Sequence, residues 1–194
     1  MDETILGSLV RDTLRQQLGD ASLKEVGAVF FSSADMIKSG PVYLLGLNPG
    51  GDYDGTIEQD LARWSSAPAN WSAYTDDTQF TGATGRKMRT GVVKLLGALG
   101  HRDAGHIPAS NLVFKRTKSQ RELNGEFRRW ADACWPVHDH LLDAISAQEL
   151  VIYSRTAYEN VRARAGAAAT QESQVTAGRS RCCAFTWRRN GYST

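Results

Sequence analysis

Cysteine is scarce in this 194-residue chain: three residues, Cys134, Cys182 and Cys183. An odd count with one vicinal pair makes a poor disulfide framework, so a reducing, cytoplasmic setting is expected. Three thiols also fall short of a four-thiolate metal site, and neither metal nor other cofactor is expected. No apolar run approaches the ~20 residues that span a bilayer. Met1-Asp2-Glu3 opens the chain without the basic region and apolar core of a secretory signal. The histidines number four, His101, His106, His138 and His140, and all precede residue 141; His138 and His140 read as surface or interhelical groups without partners. The Lys-Ser/Thr ending of a phosphate loop is missing, as is a dinucleotide fingerprint. No internal repeat or low-complexity block is present.

What is there is ordinary in bulk and uneven in charge. Apolar residues make up 41% of the chain, enough at this length for one domain with a full-sized core. Residues 1–80 hold 5 Lys/Arg against 12 Asp/Glu, and residues 81–194 hold 18 against 9. A basic half of this kind can track a phosphate backbone, although solvated helix faces carry such residues too.

Apolar periodicity supplies the elements. Ile5, Leu9, Leu14 and Leu18 give residues 1–19 an amphipathic helix. The run 28–31 is apolar and short, a strand or a helix-packing loop. Residues 41–47 are continuously apolar, as in a strand covered on both faces. A short helix is expected at 56–64, then a long loop at 65–84 of the kind that carries function. Met88, Val92, Leu95, Leu96 and Leu99 mark a helix over 85–99, with Gly100 as its terminator. A strand at 107–114, a long helix at 122–146 interrupted before Pro136, a strand at 150–153 and a helix at 156–165 follow. Residues 166–180 read as loop and 182–187 as a last strand. The alternation predicts an α/β fold: a three-layer αβα sandwich around a short, mostly parallel four-stranded sheet. Ligands of such sheets bind at the carboxyl ends of the strands.

Two of those ends carry unusual chemistry. The stretch "VYLLGLNPGGDYDG", 42–55, runs a buried strand into Gly46-Leu47-Asn48-Pro49-Gly50. The glycines let backbone approach a ligand, and Pro49 stiffens the turn that presents the Asn48 carboxamide. Asn-Pro-Gly is also a common turn, in which Asn bonds its own backbone. In "SNLVFKRT", 110–117, Asn111 stands before an apolar triplet. A buried carboxamide there must be hydrogen-bonded and can read a base edge with a donor and an acceptor; capping a turn is the simpler role. Phe80, ahead of Gly82 and the helix at 85–99, can stack on a planar ring or fill core. Lys115, Arg116 and Lys118 place positive charge beside Asn111, and Arg188 and Arg189 add more in the tail.

In this order the pieces resemble the uracil-DNA glycosylase superfamily. "GLNPG", 46–50, is similar to the first motif of its mismatch-specific and single-strand-selective branches. "FTGATGRKMRTGVVKLLGALG", 80–100, and "SNLVFKRTKSQREL", 110–123, resemble the aromatic-glycine helix and the Asn-bearing strand with its basic loop. "CWPVHDHLLDAISAQELVIYSRTAYENV", 134–161, resembles the helix, strand and turn that follow. The resemblance covers a core at 40–163, leaving an N-terminal helical extension at 1–39 and a divergent C-terminal segment at 164–194.

That resemblance implies a base-excision enzyme with DNA, single- or double-stranded, as its partner. Asn48 would position the attacking water. Gly46, Leu47, Pro49 and Gly50 would approach the base, Phe80 would stack on it, and Asn111 would bond its edge. Lys115, Arg116, Lys118, Arg188 and Arg189 would contact DNA. Two departures stand out. The superfamily's late His-bearing loop has no counterpart in the tail "RCCAFTWRRNGYST", 181–194. Of the iron–sulfur branch's four ligands, only the position of Cys134 is kept. A non-catalytic nucleic-acid-binding module on the same fold, or a nucleoside or nucleotide hydrolase, are the alternatives.

Overall fold

The computed structural model describes residues 3–38, 42–50, 54–76, 83–101, 107–123, 125–147, 149–165, 169–177 and 180–187, with 38, 83–87, 165, 169–177 and 180–187 as backbone only. The chain runs α1 (Glu3–Leu18), β1 (Val42–Gly46), α2 (Ile57–Trp64), α3 (Ala83–Ala98), β2 (Ala109–Asn111), α4 (Gln120–Leu123), α5 (Phe127–Ile145), β3 (Glu149–Ile152), α6 (Arg155–Ala165), β4 (Ala169–Ala177) and β5 (Ser180–Trp187). Two short 3₁₀ turns, Asp20–Lys24 and Ala34–Lys38, separate α1 from β1.

The sheet order is β2-β1-β3-β5-β4. The first three strands are parallel, with Gly46 opposite Asn111 and Leu45 opposite Ile152. β5 runs antiparallel to β3, and β4 pairs antiparallel with β5. Among the described residues the sheet is therefore five-stranded, not four-stranded. Its last strand is reversed, and residues 169–177, expected as loop, form an edge strand. "ATQESQVTA" is polar because an edge strand needs little burial and is protected by polarity.

Strand side chains divide between two apolar clusters. Tyr43, Leu45, Leu150 and Ile152 face a cluster with residues of α1, α2, α5 and α6. Val42, Leu44 and Val151 face a second one with Val92, Leu95 and Leu96 of α3. Helices thus cover both faces, and this is why β1 reads as an unbroken apolar run. In α1 the buried stripe is Leu6, Val10 and Leu14, while Ile5 is 60% exposed. The expected stripe was one residue out of phase at its start. The strand expected at 107–114 shortens to three residues, although Leu112 N and Val113 N still donate to Gly46 O and Leu47 O. The long helix divides into α4 and α5, and α5 continues through Pro136. Proline frees the carbonyl four residues back, and Pro136 and Asp132 both lie on the exposed side, where water can satisfy it. Among the described residues no helix is long and apolar enough to cross a membrane.

α2 begins with a reciprocal cap. Thr56 Oγ1 accepts from Gln59 N, and Gln59 Oε1 accepts from Thr56 N. Thr56→Ala is expected to cost about 1 kcal/mol in urea unfolding; a change within ~0.2 kcal/mol would remove the cap's role.

His138, expected as a surface or interhelical group without partners, lies instead fully buried on α5. Its Nδ1 is 2.9 Å from the Tyr43 hydroxyl and its Nε2 3.3 Å from Leu112 O. A neutral ring with hydrogen on Nε2 satisfies both partners. Burial pulls its pKa down to about 4. The unfolded chain then takes up a proton near pH 6.5 while the folded protein does not. Stability is therefore complete above pH 6.5 and falls as pH drops toward 4, by roughly 3 kcal/mol from this group. Urea unfolding from pH 7 to 4 should show this slope in wild type and a shallower one in His138→Gln.

Candidate functional site at the carboxyl ends of the parallel strands

β1 and β2 end on Gly46 and Asn111, and Tyr153 directly follows β3. Their side chains meet above Gly46. The Tyr153 hydroxyl lies 3.4 Å from Asn111 Oδ1 and 2.9 Å from the Tyr74 hydroxyl. A carboxamide oxygen only accepts, so Tyr153 donates to Asn111, and its own oxygen is left to accept from Tyr74. A Cβ on Gly46 would stand 2.1 Å from Asn111 Oδ1 and 2.2 Å from the Tyr153 hydroxyl. Glycine is therefore required here by the close approach of Asn111 and Tyr153, which take the room over Gly46 that was expected for a ligand. Burial, reinforced by Tyr153, pushes the Tyr74 phenol well above its ordinary pKa, so it stays protonated. Asn111 is 2% exposed, and its Nδ2 finds no acceptor among the described residues.

The loop after β1 is held by the segment that follows β2. Asn48 is half-buried, and its Nδ2 donates to Thr117 Oγ1 at 2.9 Å and to Pro49 O at 3.2 Å. Thr117 in turn donates to Ser119 O. The amide of Asn48 is thus committed, and its Oδ1 has no partner among the described residues. An oriented carboxamide oxygen can accept one hydrogen of a water and hold that water's lone pair in a fixed direction. Pro49 is buried, Leu47 packs on the larger core, and Gly50 is exposed with its carbonyl accepting from Arg116 Nη1.

The expected residues thus fall into three groups. Gly46 and Asn111 end neighbouring strands, and Asn48 stands two residues beyond Gly46 in the loop after β1. Phe80, Arg188 and Arg189 lie outside the described residues. Lys115 is engaged by neighbouring side chains at the surface: its ammonium is 2.6 Å from Glu126 and 3.2 Å from Glu25, and lies over the Trp130 ring. Its charge is neutralised where it stands. Arg116 reaches the loop, and Lys118 is exposed next to it. Cys134 is buried in α5, where desolvation pushes its thiol up to about 12, a setting for core packing rather than ligation.

Tyr74, Thr117 and Tyr153 were not foreseen. Tyr153 ends an apolar run at a strand tip and Tyr74 sits in the long loop already marked for function, so position alone carried the signal. Comparison with known protein families, with characterised proteins and with solved structures finds no match to this chain.

Proposed function

We propose that this chain is a monofunctional DNA glycosylase on a uracil-DNA glycosylase-like fold, hydrolysing the N-glycosidic bond of uracil or a related damaged base. The observation that carries the reading is the pair of carboxamides on adjacent strand tips. Each has one end tied and the other without a partner among the described residues: Asn48 is tied by its amide, Asn111 by its oxygen. Breaking this bond builds positive charge on the sugar and negative charge on the base. Asn48 Oδ1 directs a water at C1′. An amide has no useful pKa, so it orients that water without taking its proton. Asn111 Nδ2 donates to a carbonyl of the extruded base. Rate enhancement rests on positioning and on fixed dipoles. Arg116 and Lys118 beside the loop supply positive charge for the DNA backbone.

Incubation of the purified protein with uracil-containing oligonucleotides, single-stranded and duplex, tests this directly. Free uracil and an alkali-labile abasic strand are expected. Salt-sensitive DNA binding without base release would instead mark a non-catalytic module. Hydrolysis of deoxyuridine alone would mark a nucleoside hydrolase.

A further inference from the structure

The proposed reaction gives the base one donor, Asn111 Nδ2, which holds its edge, and leaves one role unfilled: a second donor, to the carbonyl oxygen that gathers charge as the base departs. None of the described histidines is at the strand tips. His101 pairs with Glu149 at the opposite end of β3, His138 is enclosed between Tyr43 and Leu112, and His140 is exposed on α5. We propose that the Tyr153 hydroxyl is that donor, an inference that rests on the base-release reading of this site. Three features carry it. The hydroxyl packs directly against Gly46, which fixes it at the tip of β1 beside the Asn111 carboxamide. Its present acceptor, Asn111 Oδ1, is 3.4 Å away, a long bond that is readily exchanged for a stronger acceptor. Tyr74 donates into its oxygen at 2.9 Å, and such a chain strengthens the outer O–H as a donor.

In the reaction, the electron pair of the C1′–N bond leaves with the base and spreads onto its carbonyl oxygens. The Tyr153 O–H turns from Asn111 onto one of them and keeps its proton. The water oxygen bonds C1′, and the proton it loses reaches the base through solvent. A free neutral base and an abasic sugar result. Tyr74 is a positioning residue that acts through Tyr153.

The test compares uracil with 5-fluorouracil, whose anion is more stable and needs less help to leave. In oligonucleotides carrying either base, Tyr153→Phe should lower kcat for uracil about 100-fold with KM little changed. The loss for 5-fluorouracil should be at least several-fold smaller. Equal losses for both bases would reduce Tyr153 to a structural role, and unchanged uracil kcat would overturn the proposal. Tyr74→Phe supplies a second reading should Tyr153→Phe not fold: a smaller loss with the same bias toward uracil is expected, and an unbiased loss counts against the donor chain. Wild-type protein that releases neither base would remove the underlying reading and this proposal together. An active wild type with an equally active Tyr153→Phe would remove this proposal alone.

Discussion

Asn48→Ala is expected to lower base release at least about 100-fold while leaving the unfolding free energy within ~1 kcal/mol of wild type. The small stability change follows from where Asn48 sits. It is half-buried on a turn, and its two hydrogen bonds reach Thr117 and the neighbouring carbonyl of Pro49, not the core. The large activity change follows from the Asn48 oxygen, which has no partner among the described residues. Alanine removes the group that fixes the water, and no acidic side chain among the described residues bonds the Asn48 amide in a way that would replace it. The measurement is single-turnover release of uracil, read beside urea unfolding of the same preparations. Equal rates for mutant and wild type would take Asn48 out of the mechanism. A collapse of stability together with rate would show that the Asn48–Thr117 contact holds the fold instead.

Gly46→Ala should be the most damaging conservative change at the site. The added methyl would meet Asn111 Oδ1 and the Tyr153 hydroxyl, at 2.1 and 2.2 Å, on a strand whose five residues are all buried. Neither neighbour is the loose end of a surface chain: Asn111 is in β2 and Tyr153 is tied to Tyr74. Overpacking of this kind costs about 1–3 kcal/mol. Whatever relaxation occurs must move the very groups proposed to hold the base, so base release should fall at least tenfold in the fraction that stays folded. Gly50→Ala is the control. A Cβ there has no heavy atom within 4 Å, and stability should change by no more than ~0.5 kcal/mol. Wild-type stability in Gly46→Ala would mean that the strand tips are looser than their spacing indicates.

The framework of this fold was legible wherever burial left a continuous or periodic trace. β1 is apolar along its whole length because helices cover both faces, and α2 announces itself with Thr56 and Gln59 around Ile57. Legibility failed where stability comes from pairing instead of burial. β4 is an edge strand with polar residues, so no apolar run marked it. The better signal was Gly178-Arg179, a two-residue spacer led by glycine between two strand-length segments. His138 misled for a related reason. A histidine on a helix reads as solvent-facing until the tyrosine and the carbonyl that bury it, Tyr43 and Leu112 from distant parts of the chain, are known.

The site was half legible. Asn48 and Asn111 stood out because each carboxamide interrupts or ends an apolar strand, and the α/β alternation placed both at the same edge of the sheet. Local sequence gave no hint that Asn111 would be engaged by Tyr153, or that Tyr74 would stand behind it. Those contacts join residues 79 and 42 positions apart, and only the 2-1-3 strand order brings them together. The positive charge divided in the same way. Lys115 and Arg116 are neighbours in sequence, yet one is consumed by Glu25, Glu126 and Trp130 while the other reaches the Gly50 carbonyl.

Whether the two carboxamides share one ligand is the point on which all of this turns. Free uracil added to protein carrying ¹⁵N-labelled asparagine side chains tests it most directly. The amide resonances of Asn48 and Asn111, assigned by Asn48→Ala and Asn111→Ala, should shift along one common binding curve, and other asparagine amides should stay in place. Saturating uracil that moves neither resonance, or moves only one, would contradict a shared base pocket at the strand tips.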